Sequence, residues 1–173
     1  MIKKSNYKRQ LLIFDFILLC FLTAIDQLTK YMAVLKLKDK AAIPIVEGVL
    51  EFSYLENRGA AFSMLENQKT FFVIVAGIFL CVITYVLFRT PGDKKYKHLH
   101  ILLTTIGAGA LGNMIDRLRL DYVVDFIYIS LINFPIFNVA DMFVTFATAI
   151  LVVRVLFVYE EDDFDFLAAK GAQ

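Results

Sequence analysis

Two carboxylates in this 173-residue sequence have no adjacent base and sit among bulky apolar neighbours, Asp125 in VVDFI and Asp141 in NVADMF. Unpaired acids in apolar surroundings serve either as a functional pair or along an ion pathway. As a pair they predict acid–base chemistry. Two carboxyl groups held close together cannot both ionise easily, so one proton stays between them across mildly acidic to neutral pH. The ionised member can take a proton from water as it attacks a peptide carbonyl, while the protonated member donates to the carbonyl oxygen or the leaving amine. The intervening chain turns at Asn133 to Pro135, and a hairpin-like return there would oppose the two acids. No metal is expected, because a metal site calls for three or more converging ligands, and the only histidines, His98 and His100, fall at the far end of a different apolar segment.

The elements that must position these acids are membrane spans. The chain is 59% hydrophobic, 14% aromatic and 20% charged, with a mean hydropathy of +0.66, a balance outside that of soluble domains. Its net charge of +1 argues against a nucleic-acid partner, which would need a concentrated basic surface. Cys20 and Cys81 lie inside apolar runs with no metal or redox spacing and read as free thiols. Hydropathy predicts spans over residues 11–32, 70–88, 99–115 and 134–158, each long enough for a helix rising about 1.5 Å per residue to cross a bilayer. The first reads as a retained span rather than a signal peptide, since no small-residue cleavage site follows its long apolar body. Lys3, Lys4, Lys8 and Arg9 precede span one, and Arg89, Lys94, Lys95 and Lys97 join spans two and three, which predicts both termini on the cytoplasmic side. The fold class is then an all-α four-helix membrane bundle, one integral membrane domain over residues 1–173, with a small extracytoplasmic β-platform. The segments at about 33–69 and 116–133 are expected to be extracytoplasmic, and that at about 159–173 to form an acidic cytoplasmic tail, read first as mobile and solvated and second as a partner contact. Residues 43–65 have the β-branched and aromatic composition of short strands, and residues 120–133 that of a strand, a short interfacial helix, or both in succession.

Other polar residues gather at the same predicted depth as the two acids. Asp26 and Lys30 stand four apart at the outer end of span one. Asn113, Asp116 and Arg117 occupy about one turn at the outer end of span three, and Asn138 and Asp141 are three apart, hence on one face at the start of span four. Asp26 with Lys30, and Asp116 with Arg117, read as structural pairs. Gly107, Gly109 and Gly112 read as sites of close helix approach.

In order along the chain, DQLTK (Asp26 to Lys30), NRGAAFS (Asn57 to Ser63), GALGNMIDR (Gly109 to Arg117), VVDF (Val123 to Phe126) and FNVAD (Phe137 to Asp141) resemble the motif series of bacterial lipoprotein signal peptidase, signal peptidase II. The resemblance implies an aspartyl endopeptidase, without cofactor, of the bacterial inner or cytoplasmic membrane. It would cut prolipoprotein signal peptides just before the diacylglyceryl-modified cysteine, with Asp125 and Asp141 as catalytic dyad. It implies that Asn57, Arg58, Gly59, Ala61, Asn113, Arg117 and Asn138 line the site and bind or orient substrate, while Asp26, Lys30 and Asp116 support structure. Its partners would be lipid-modified prolipoproteins and membrane lipids, with the enzyme acting as a monomer and its site near the extracytoplasmic face. Ala108 and Met142 depart from the pattern, which commonly has glycine and serine there, and neither change removes a proposed acid or base. Asp15 and the acidic tail are given no role. An ion transporter would spread its acids through the membrane depth or carry internal repeats, neither of which is found, and a noncatalytic lipid-binding protein would tolerate amides in place of the two acids.

Overall fold

The computed structural model describes residues 2–59 and 68–168. Four long helices, α1 (Ile2–Leu37), α2 (Lys69–Arg89), α3 (Lys97–Leu120) and α4 (Val139–Phe157), carry a three-stranded antiparallel sheet at one end. All four are long and apolar enough to cross a membrane. Their outward faces are rich in exposed Phe, Ile, Leu and Val, as in Phe16 and Ile17 of α1, Ile74 and Ile78 of α2, and Phe146 and Ile150 of α4. Such surfaces suit a lipid environment.

Helix α3 is the central element, and α1, α2 and α4 all pack on it. Its small residues make this possible. Gly109 faces the Ala140 carbonyl and Val144, Gly112 faces the Asp26 carboxylate, and Gly107 lies against Leu19, Leu80 and Ile83. A side chain at either of the first two positions would separate the helices.

The expected platform consists of β1 (Ile43–Val46), β2 (Leu50–Asn57) and β3 (Val123–Tyr128), in the order β1-β2-β3. The β1–β2 turn uses Gly48 at φ 69°, a conformation that suits glycine. Residues 120–133 form a strand and a short 3₁₀ turn (Ser130–Ile132) in succession. Val124 and Phe126 of β3 pack on Ala33 and Leu37 of α1, so the sheet is seated on the bundle end.

Span four differs from its expected bounds. Residues 134–138 are not helical, because Pro135 disfavours helical backbone in the residue before it and Asn133 adopts a left-handed turn at φ 48°. The segment instead returns extended along β3, with the Phe126 and Ile127 amides donating to the Phe137 carbonyl at 3.0 and 2.8 Å. The helix starts at Val139 with Asn138 as its N-cap. Asn138 and Asp141 are therefore not two residues on a helix face but the two ends of a capping box.

The acidic tail is also ordered over its first part, contrary to expectation. A 3₁₀ segment (Glu161–Leu167) folds back under the bundle. Arg89 donates to the carbonyls of Phe166 and Ala168, Lys95 pairs with Asp163, and Phe166 packs edge-on against Tyr96. The basic α2–α3 connection supplies the counter-charge and aromatic surface that hold it.

Asp15 acquires a partner that sequence did not offer. Its carboxylate lies 2.6 Å from His100 Nδ1, both residues buried between α1 and α3. Breaking a buried pair strands the remaining polar group. Asp15→Leu is expected to lower stability by about 3 kcal/mol, and Asp15→Leu with His100→Leu to recover most of it. Thermal unfolding of the purified proteins in detergent checks this. Equal losses in the single and double variants would rule out the pair as the source.

Candidate functional site

Asp125 is central in β3 and only 1% exposed. In the β2–β3 register Asn57 lies opposite Val123, so Asp125, two residues along on the same face, is its diagonal neighbour. Asn57 Nδ2 accordingly donates to Asp125 Oδ2 at 2.9 Å. The other oxygen, Oδ1, accepts from Asn138 Nδ2 at 2.6 Å. Asp141 is the third residue of α4, where its Oδ2 accepts the Asn138 amide at 3.1 Å and its own amide donates to Asn138 Oδ1 at 3.0 Å. Its Oδ1 accepts from Asn113 Nδ2 at 2.8 Å. Asn138 thus touches both acids, through its side chain on one side and its backbone on the other.

The two acids open onto one cavity of about 830 Å³ beneath the sheet. Its polar wall includes Asn57, Gly59 and Arg117, and its apolar wall includes Leu55, Phe134, Ile136, Met142 and Phe146. Burial, and then the charge of Asp141, push the Asp125 carboxyl up to about 7. A group poised there can hold or release a proton near neutral pH. Among the described residues no cluster of three or more His, Cys, Asp or Glu could hold a metal ion.

The remaining predicted residues divide by position. Arg117 reaches the Gly59 carbonyl at 3.1 Å and stacks on Phe72, 4.7 Å from its ring centre, which pins the end of β2 to α3 and α2. The Gly59 amide donates to Asn57 Oδ1 at 3.0 Å, so the same turn fixes the amide that faces Asp125. Arg58 lies on the cavity rim, with its guanidinium on Glu56 and over Tyr122. Asn113 and Asn138 stand behind the acids rather than on the cavity wall. Ala61 lies outside the described residues.

One expected pair is re-partnered. Asp26 and Lys30 pair at 3.0 Å as predicted, but Asp116 pairs with Lys30, also at 3.0 Å, and not with Arg117. Adjacent residues on a helix point about 100° apart, and only Asp116 faces α1. Gln27, inside the DQLTK motif but not singled out, bridges Asp26, Asp116 and the Gly112 carbonyl. The apolar cavity wall was also missed, although the aromatic run FPIF just before the capping asparagine carried its signal.

A membrane bundle that gathers buried acids and amides beneath a small sheet, beside a cavity, defines a multi-pass membrane protein of enzyme type. The fold is shared with solved structures of that class. One bacterial membrane enzyme determined by the in meso method at 2.3 Å superposes with TM-score 0.75 at 28% identity, covering 92% of this chain and 94% of that one. Another, at 1.9 Å, gives 0.74 at 29% identity, covering 84% and 94%. Residues 18–157 match the family described as Signal peptidase (SPase) II, and the chain belongs to that peptidase family. The lipoprotein signal peptidase of Streptococcus pyogenes serotype M5 (strain Manfredo) is 38% identical over 157 residues, 91% of this chain and 98% of the relative. That of Streptococcus pyogenes serotype M3 (strain SSI-1) is 37% identical over the same shares.

Proposed function

We propose that this protein is an aspartyl endopeptidase that removes signal peptides from diacylglyceryl-modified prolipoproteins, cutting just before the lipidated cysteine. The observation that carries the reading is the opening of Asp125 and Asp141 onto one cavity, each carboxylate already oriented by two donors. Asp125, whose affinity for a proton is raised, donates it to the carbonyl oxygen or leaving amine. Asp141 is the base that takes a proton from the attacking water. When the amine leaves with the donated proton, the dyad has exchanged roles and returns to its starting state after one further proton transfer. Asn57 and Asn138 hold Asp125 in place, and Arg117 holds the β2 end where peptide backbone would enter. The apolar wall from Leu55 to Phe146 suits acyl chains and the hydrophobic signal segment, whose burial supplies binding energy remote from the scissile bond.

The basic connection between α2 and α3 lies at the end away from the sheet, which supports a cytoplasmic location for that end and for both termini. The site then lies toward the outer face, at a depth water reaches.

A cleavage assay in detergent with two forms of one prolipoprotein, diacylglyceryl-modified and unmodified, tests the substrate assignment. The unmodified form is expected to lose kcat/KM by on the order of 100-fold or more. Equal turnover of the two would exclude lipid recognition, and cleavage at a bond other than the one before the cysteine would exclude the proposed register.

A further inference from the structure

The polar cluster on α1 and α3 does more than neutralise itself. Asp26 Oδ1 accepts the backbone amide of Ala140 at 3.0 Å, across 114 residues of sequence. Asp116 Oδ2 accepts the backbone amide of Val124 at 3.2 Å. Ala140 immediately precedes Asp141, and Val124 immediately precedes Asp125. Each candidate acid is thus preceded by a residue whose amide is held by another carboxylate, and both of those carboxylates lie 3.0 Å from the same ammonium, that of Lys30.

Lys30 has a third contact. Its Nζ donates to Asn113 Oδ1 at 2.8 Å. An amide whose oxygen faces a cation must turn its NH₂ the other way, and that NH₂ is the donor to Asp141. Lys30 is 3% exposed and Asp26 fully buried, so water does not dilute these interactions.

We propose that Lys30 is a positioning residue that sets the separation and orientation of the two acids, through one amide clamp on β3, one on α4, and the Asn113 side chain. The inference rests on the dyad reading above. Without the ammonium, two buried carboxylates share only the Gln27 amide. Their repulsion, or protonation of one of them, loosens both clamps together and leaves the Asn113 oxygen held only by the Asn138 NH₂, at 3.2 Å. The substrate cavity, which Lys30 does not line, keeps its shape.

Lys30→Met keeps an unbranched side chain as far as Cε and removes the ammonium. In detergent it is expected to melt at a lower temperature, since two buried carboxylates lose their cation, and, where it stays folded, to hold a KM for lipidated substrate within about threefold while kcat falls about 100-fold, the usual cost of misplacing reacting groups by an ångström. Hydrogen exchange should show residues 123–126 and 138–142 losing protection together, with α2 unchanged. Wild-type kcat in a folded Lys30→Met protein, or unchanged protection in both segments, overturns the proposal.

Should that variant not accumulate, Asp26→Ala asks the same question, because Lys30 and Asp116 remain a neutral pair. Loss of protection should then be confined to residues 138–142, and loss in both segments or in neither overturns the clamp. Asp125→Asn and Asp141→Asn assayed alongside separate the two readings. Turnover surviving in those variants removes the dyad, whereas the exchange result bears on the clamp independently of turnover.

Discussion

Asp125→Asn and Asp141→Asn are each expected to lower prolipoprotein cleavage by at least about 1000-fold, because acid and base act as a unit and half of a pair retains little of its effect. Both variants should remain folded. At Asp141 an asparagine still offers an oxygen to the Asn138 amide, so the capping box that starts α4 persists. At both positions the substitution has a cost, since both carboxylate oxygens accept N–H donors, from Asn57 and Asn138 at Asp125 and from Asn113 and the Asn138 backbone at Asp141. An amide at either leaves one donor facing another, a loss of about 1–3 kcal/mol. Melting curves in detergent separate that loss from the chemistry. The wild-type pH profile carries a linked expectation. Asp125 is pushed up to about 7 by burial and by Asp141, so the proton it donates is present below neutrality and lost above it. The rate should therefore decline as pH rises past about 7, and the Asp125 variant should lack that decline in whatever residual activity it has. Substantial cleavage by either variant would remove the dyad assignment.

Gly109→Ala is expected to lower kcat about 100-fold and stability by about 1–3 kcal/mol, although it adds one methyl group remote from substrate. A Cβ at this position would stand 2.5 Å from the Ala140 carbonyl oxygen and 2.7 Å from Val144. The first is backbone, so no side-chain rotation relieves the contact, and the first turn of α4 must move. That turn carries Asp141. Gly107→Ala is the matched control, since its Cβ would meet only Ile83, Leu19 and Leu80 at 3.7–3.8 Å, ordinary contact distances. Parallel cleavage and melting measurements on the two variants should show a defect in the first alone. Wild-type behaviour of Gly109→Ala would mean that α4 is not held by its approach to α3.

The spans and the gathering of polar groups at one depth were legible because lipid allows few alternatives. Apolar length sets the spans, and acids inside them must face one another or a cavity. What sequence did not convey depends on direction around a helix axis and on pairs far apart in the chain. Asp116 and Arg117 are neighbours in sequence yet point to different partners, so their pairing looked local and was not. Asp15 and His100 are separated by 85 residues, with nothing in either local pattern to connect them. The start of α4 was misplaced because hydropathy does not register a cap. Asn133, Pro135 and Asn138 all signalled a turn and a helix start, within an otherwise continuous apolar run. The tail's charge suggested solvation, yet the basic connection across the bundle end supplied partners that composition alone cannot place.

The long reach from Asp26 to Ala140 also bears on how the protein is made. While the first three helices enter the membrane one after another, Asp26 and Asp116 already have Lys30, but Asn138, Ala140 and Asp141 have yet to be synthesised. The cavity therefore cannot acquire its second acid until the last helix has emerged and docked against the first and third. On the proposed dyad, a nascent chain still threading its hydrophobic segments into the bilayer lacks the second acid, and competence for cleavage would arrive with the docking of α4.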